Sequence, residues 1–357
     1  MSCTRVILSD VPISMGSPQI MQLARNLKSE FGGKTVIFEP HTPGSPIMED
    51  FDINLDVKIM RIQTAKNPHE NLNGHIDYLN KVNTILRDMT VDELYLCSPY
   101  VIPILYILSE KITDITYYML ETPDMYSRWI KESHFLVRKK VKKIIYVEKN
   151  RYVRDAQEFD FLGIPSFLYY NSYKVEREAI DFRKRNSRII NYGTLDNKNT
   201  YLDWYGDVPI NRYPIDLMGQ INQQFIPSGK VRHLGKVPHS SVAGIVSQYS
   251  FVITLWNEKE RRSRFAPSNK LFEAISLGVP IISAPHPQHV EVIQELECGI
   301  IMKDWTKGSL QSALDQGVSI IGGKKYEILV RNCARLEKSR FGVPTNTQSL
   351  LKFIREN

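Results

Sequence analysis

Short apolar runs that end in glycine constrain this chain more than any other feature. In its second half Arg188–Tyr192 runs into Gly193, Ile215–Met218 into Gly219, and Val231–Leu234 into Gly235. Runs of consecutive apolar residues suit strands buried on both faces of a parallel sheet. A glycine at the carboxyl end of such a strand suits a doubly wound sheet, where ligands lie over those ends. Phe251–Leu255 and Val279–Ser283 complete the set, with helical stretches between them.

The first half keeps the same rhythm. Arg5–Ser9 is a β-prone run, Val11–Pro18 a loop, and Gln19–Phe31 carries Ile20, Leu23, Ala24 and Leu27 at helical spacing. Gly32-Gly33 stops that helix before a second run, Lys34–Phe38, which makes a βαβ unit. Glu93–Cys97 and Ile115–Leu120 read as strands around a helix-like Ile102–Lys111, followed by strands at Ile144–Val147 and Ser166–Tyr170. The polar, densely charged Lys174–Arg188 reads as a linker. A chain of 357 residues is long enough for two domains of about 100–200 each. The predicted fold is therefore α/β: two Rossmann-like doubly wound parallel-sheet domains facing a central cleft. The first occupies 1–175 and the second 186–340, with a terminal helix in 341–357 placed to pack back on the first.

Charge is concentrated. Ten of the 46 basic residues but two of the 39 acidic ones lie between Arg128 and Arg154, so that segment carries +8 and the rest of the chain −1. Trp129, Ile130, Val137, Val141 and Ile144 recur there at about helical spacing, with Arg138, Lys139, Lys140, Lys142 and Lys143 in the gaps. A basic amphipathic helix with a Trp suits an anionic membrane surface; the alternative is a solvated helix whose apolar stripe packs on the sheet. Nucleic acid is not expected, because the aromatic interleaving and RNA-module signatures are missing. The longest apolar run, Tyr100–Leu108, is far short of the about 20 residues a membrane span needs. Met1–Arg5 lacks the charged and apolar regions of a secretory signal, and Cys3, Cys97, Cys298 and Cys333 have no CxxC spacing. A cytoplasmic protein is expected, peripheral at the inner membrane face if the basic segment docks there.

The most specific stretch runs from Arg264 to Ala284. Ser268 is placed to N-cap a helix, and Lys270 then falls in its first turn. A cation there opposes the helix dipole, which makes sense if an anion sits at that end. Arg264 offers a planar fork for phosphate. Glu273, one turn on, is placed to bond ribose hydroxyls, Gly278 closes the helix, and Pro280 enters the next strand. The alternative is a capped amphipathic helix with Lys270 and Glu273 as a surface pair worth about 0.2–0.5 kcal/mol.

This stretch resembles the donor-site signature of GT-B glycosyltransferases of the retaining "group 1" family, in which a Pro, a Lys, Glu-Ala, a Gly and Pro-Val-Ile recur at this spacing. Tyr192–Leu195 resembles that family's first C-domain strand, and Leu168–Asn171 the segment closing its N-domain. The resemblance implies transfer of a sugar with retention, from a nucleotide-diphospho-sugar to a saccharide or lipid-linked saccharide, in bacterial surface-polysaccharide or lipopolysaccharide synthesis. It implies that the first domain binds the acceptor and the second the nucleotide-sugar donor, that Glu273 holds the donor ribose, and that Lys198, Lys270 and Arg264 serve the diphosphate. Val237-Pro238 would border the nucleobase, and Gly16 would let backbone approach the diphosphate or the acceptor. No metal or other cofactor is implied, since fixed cations and helix N-termini can stabilise the departing charge. The chain departs from the pattern at Thr194, where an Arg is usual, and at Phe265, where one of two paired Glu falls. Glu258 or Glu260 would substitute for the latter. The family's usual His gives way to Leu120–Asp124, so Glu121 or Asp124 would act near the reacting sugar.

Other constellations are weaker. Asp50-Phe51-Asp52 is a DxD, read as a solvated loop rather than a metal site, and His286, His289 and Glu291 sit in a Pro-rich context unsuited to metal. No GxGxxG or Walker motif occurs. A same-fold epimerase or hydrolase, or an inactive partner subunit, are the alternative functions.

Overall fold

A computed structural model describes residues 3–13, 18–43, 57–123, 126–172, 181–221 and 224–357. The chain divides into two compact units, Met1–Tyr169 with Thr347–Asn357, and Tyr170–Asn346.

In the first unit the strands are β1 (Thr4–Leu8), β2 (Lys34–His41), β3 (Val57–Gln63), β4 (Glu93–Cys97), β5 (Ile115–Met119), β6 (Lys143–Tyr146) and β7 (Ser166–Leu168). They form one parallel sheet in the order β3-β2-β1-β4-β5-β6-β7. The chain winds outward from β1 in one direction and from β4 in the other, so the switch point lies between β1 and β4. Side chains alternate across the sheet. Val6, Leu8, Leu94 and Leu96 face a core with Tyr78 and Val82 from the helix Leu72–Arg87. Ile7 and Tyr95 face the other, with Leu23 and Leu27 from the helix Pro18–Phe31. The terminal helix Val343–Glu356 adds Leu350 and Ile354 to this second core, and Phe353 stacks on Phe167 at 5.5 Å.

In the second unit the strands are β8 (Ile189–Leu195), β9 (Ile215–Ile221), β10 (Arg232–Gly235), β11 (Phe251–Thr254), β12 (Ile281–Ser283) and β13 (Gly299–Ile301). Their order, β10-β9-β8-β11-β12-β13, is again parallel, with the switch between β8 and β11.

Several expectations need correction. The helix expected over Ile102–Lys111 is a 3-10 helix, Pro99–Tyr106; Pro103 inside it has no N–H to donate. The basic segment is not one amphipathic helix. It breaks into Arg128–Ser133, the 3-10 turn His134–Leu136 and Val137–Lys140, and the β-branched Ile144 and Ile145 then draw Lys143 into β6. Lys143 is buried, its ammonium donating to Asp114 Oδ2 and Ile354 O, both at 3.4 Å. Trp129 packs against the core with its ring 4.9 Å from His75. Burial withdraws Lys143 from any surface, while Trp129 is half-buried against the core. Arg138 pairs with Asp160 at 2.5 Å and Lys140 donates to Leu105 O, while Lys139 and Lys142 stay exposed. Arg185, within the stretch read as a linker, is buried and donates to the carbonyls of Ser247, Leu277 and Gly278.

Candidate functional site

The carboxyl ends of β8 and β9 meet as a glycine pair. Gly193 has φ +111° and Gly219 φ +130°, and a Cβ on Gly219 would lie 2.0 Å from the Gly193 carbonyl oxygen. A Cβ on Gly193 would in turn lie 2.9 Å from Cε and Nζ of Lys270. The two glycines therefore clear the space over the strand end that the Lys270 side chain occupies.

Lys270 gets there from the helix Asn269–Ser276, which buries Leu271, Phe272, Ala274 and Ile275. Ser268 caps the helix, its hydroxyl accepting from Leu271 N at 3.1 Å. The half-buried ammonium of Lys270 lies 5.5 Å from the ring centre of Tyr192 and 5.7 Å from that of Trp256. Aromatic faces attract a cation but do not neutralise it. Burial pushes its pKa down to about 8, with Glu273 partly offsetting the fall. Glu273 is not the surface partner of a helix pair: it is buried and accepts from the Tyr192 hydroxyl at 2.7 Å. The site thus holds a desolvated cation in the first turn of a helix, an arrangement that favours an anion there.

The other donor-site candidates lie on the same edge of the sheet. Lys198 is exposed on the turn Asn197–Thr200, which follows β8. That turn is tied to the loop after β11, with Asn257 donating to Lys198 O at 2.8 Å and Tyr201 bonding Asn257 and Glu258. Arg264 is exposed, with its guanidinium 5.6 Å from the Phe265 ring centre. Val237 is half-buried just past the edge strand β10. Trp256, which flanks Lys270 together with Tyr192 of the Tyr192–Leu195 stretch, carries no motif of its own in the sequence.

His286 and His289 come together, with ring centres 5.0 Å apart, but Glu291 turns away to Arg340 at 2.7 Å. Burial lowers the pKa of both rings, that of His286 to about 4. His286 donates from Nδ1 to Arg264 O and accepts from Trp256 N on Nε2, so the neutral tautomer links the wall of the Lys270 site to the base of Arg264. Among the described residues no group of three His, Cys, Asp or Glu is placed to hold a metal ion.

The corresponding edge of the first unit carries a different set. Glu121, just after β5, accepts from Arg151 at 2.5 Å, and Arg151 also donates to Leu120 O. Asp10 follows β1 with its side chain only 8% exposed. The Ser98 hydroxyl, at the end of β4, donates to Asp10 Oδ2 at 2.9 Å, and His69 Nε2 lies 3.8 Å from the same oxygen while donating to the Asp10 carbonyl. Burial raises the Asp10 pKa to about 6, against the opposing pull of His69 and Ser98. Ser98 holds φ 92°, ψ 147°, a region almost reserved for glycine. His69 stacks on Tyr100 at 4.3 Å, and Tyr100 on His75 at 3.6 Å. Reading the sequence missed this set; the one available signal was the polar pair Ser9-Asp10 directly after an apolar run. Gly16, Asp124 and the DxD at Asp50–Asp52 lie outside the described residues.

No protein-family model and no curated protein matches this sequence. Solved structures do. Sucrose-phosphate synthase from Thermosynechococcus elongatus aligns over 99% of this chain and 98% of its own, with a TM-score of 0.75 at 12% identity. HepE of Anabaena, solved with UDP, aligns over 100% of both chains with a TM-score of 0.70 at 12% identity. The lipopolysaccharide outer core galactosyltransferase WaaB aligns over 99% of both, with a TM-score of 0.67 at 11% identity. At these identities the likeness is one of fold.

Proposed function

We propose that this chain, which has the GT-B architecture of two Rossmann-like domains, is a glycosyltransferase that moves a sugar from a nucleotide-diphospho-sugar to a saccharide or lipid-linked saccharide. The observation that carries this reading is the half-buried Lys270 ammonium, held over Gly193 by a capped helix and flanked by the rings of Tyr192 and Trp256. Such a cation costs folding energy and recovers it when a phosphate arrives. In this reading Lys270, Arg264 and Lys198 meet the departing diphosphate without a metal, and Glu273, aimed by Tyr192, binds the ribose. That HepE was solved with UDP and with UDP-glucose supports the same class of donor. Retention, and a place in surface-polysaccharide or lipopolysaccharide assembly, belong to the proposal through the sequence resemblance.

Calorimetric titration with UDP-, GDP- and ADP-sugars tests it. One donor should bind, and Glu273→Ala should weaken it about tenfold or more. No binding of any donor, with both proteins alike, would favour an inactive partner subunit. Turnover of donor at full rate with no acceptor present would favour an epimerase or hydrolase.

Association with the inner membrane face is part of the proposal, at a smaller surface than the sequence suggested. Phe135 is 54% exposed, close in sequence to Lys131, Lys139 and Lys142. Among the described residues no helix is long and apolar enough to cross a membrane. Lys139→Gln with Lys142→Gln should release the protein from phosphatidylserine vesicles; undiminished sedimentation with them would remove this part.

A further inference from the structure

The segments carrying Lys198, Lys270 and Arg264 converge on one short loop, Trp256–Glu258, which follows β11. Asn257 N donates to Asn199 O and Asn257 Nδ2 to Lys198 O, both at 2.8 Å, which pins the turn that carries Lys198. The Trp256 ring centre lies 5.7 Å from the Lys270 ammonium. Arg264, at the end of the short helix Arg261–Arg264, is reached through a single side chain. The Trp256 N–H donates to His286 Nε2, and His286 Nδ1 donates to Arg264 O, both at 3.3 Å. A backbone N–H can only donate, so Nε2 is bare and the ring proton sits on Nδ1. The imidazole serves both neighbours only in this one neutral form. Burial keeps it neutral by pushing its pKa down to about 4, against the pull of Arg264 O and Glu258.

Local structure alone would not choose histidine here. His286 is the N-cap of the ten-residue helix Pro287–Leu296, where Ser, Thr, Asp or Asn would bond the free N–H groups of the first turn. Among the described residues the His286 side chain makes no such cap bond; it turns instead toward Trp256 and Arg264. The ring is buried against Trp256 and Trp305, each with its ring centre 5.4 Å away. An apolar ring would pack there with no polar atom to satisfy. Helix capping and core packing thus each favour another residue. What histidine adds is a donor and an acceptor pointing apart on one rigid ring.

We propose that His286 is a positioning residue of the phosphate site: it fixes the Trp256 wall beside Lys270 and the backbone from which Arg264 reaches out. Both cations are then set before a ligand arrives, which spares binding the cost of ordering them. The inference rests on the donor reading above and names the residue that holds its phosphate-binding part in place.

Two variants separate this role from a structural one. His286→Asn supplies a preferred N-cap residue but is too short to reach the Trp256 N–H. His286→Phe keeps a ring against Trp256 and Trp305 and loses both hydrogen bonds. The full-length proteins are titrated calorimetrically with inorganic pyrophosphate and with UDP-, GDP- and ADP-glucose. Each variant should lose about tenfold in affinity for pyrophosphate and for whichever nucleotide-sugar binds. The Asn variant, with its helix capped, should melt within a few degrees of wild type, so that its loss is one of binding and not of folding. A second readout needs no ligand. The Lys270 side chain, followed through its 13Cε resonance, should titrate above the wild-type value of about 8, because water reaches the ammonium once the Trp256 wall is released. Glu273 and Tyr192, the titratable groups facing it, are the same in all three proteins. Wild-type affinity for pyrophosphate in His286→Asn, or an unmoved Lys270 titration, overturns the inference. Nucleotide-sugar binding that both variants share undiminished sinks only the positioning role. Pyrophosphate binding by wild type without any nucleotide-sugar binding sinks only the transferase, and a wild type that binds neither sinks both.

Discussion

The two units share a topology and oppose each other in charge. Each places its switch point between its first strand and a strand that returns beside it, β1 with β4 and β8 with β11. In the first unit that point holds a buried acid, Asp10, oriented by a strained serine. In the second it holds a half-buried base, Lys270, admitted by a pair of glycines. Burial disfavours the charged form of both, raising one pKa to about 6 and lowering the other to about 8. Both are therefore charged mainly between those values. The same backbone frame thus presents a carboxylate at one switch point and an ammonium at the other.

The largest effect should come from erasing the cation. Lys270→Met keeps length and apolar stem, and should weaken nucleotide-sugar binding by about a hundredfold, measured by calorimetry. An unchanged affinity would reduce the contrast to Asp10 alone. Next is the space that admits the lysine. A Cβ on Gly193 would stand 2.9 Å from Cε and Nζ of Lys270, at the far end of a flexible side chain. Gly193→Ala should displace the ammonium and cost about tenfold in donor affinity, together with the strain of a positive φ. Gly219→Ala meets the Gly193 carbonyl instead, so its damage should appear as lost stability rather than a local binding defect.

The pH dependence sharpens the comparison further. Donor affinity should fall as pH rises above about 8, because Lys270 loses its proton; the Met variant, already weak, should lack that limb. If the proposed transfer occurs, kcat/KM should fall on the same basic limb near 8, and that limb should be removed in Lys270→Met.

What the sequence revealed follows the same divide. The second unit was legible because its signals are local. Ser268, Lys270, Glu273 and Gly278 lie within one helix and its ends, and glycines mark the strand termini. The first unit's polar set is assembled from distant pieces: Ser98 and Asp10 are 88 residues apart, and His69 comes from a third segment. Only the parallel crossover brings them together. β3 escaped notice because it is an edge strand whose apolar residues are interrupted by Lys58 and Arg61, not an apolar run. The basic segment misled because its apolar spacing, about right for a helix, is shared between short helical turns and β6. Tyr192 was placed on a strand, but its partner Glu273 lies 81 residues away, so its role in aiming that carboxylate had no local trace.

The smallest effect tests whether the two charges at the switch points serve stability. Lys270 titrates lower folded than unfolded, so the unfolded chain binds more protons between about pH 8 and 10, and stability should rise with pH across that window. Asp10 titrates higher folded than unfolded, so the folded chain binds more protons between about pH 4 and 6, and stability should fall as pH rises through it. Near pH 7 each charge is therefore held at a cost. Lys270→Met and Asp10→Asn should both raise the melting temperature by a few degrees, the first while weakening donor binding. Stabilisation by both would show that neither charge is there to hold its sheet together. Destabilisation of the first unit alone would instead make Asp10 a structural partner of Ser98, and the symmetry between the two sheets would end at their topology.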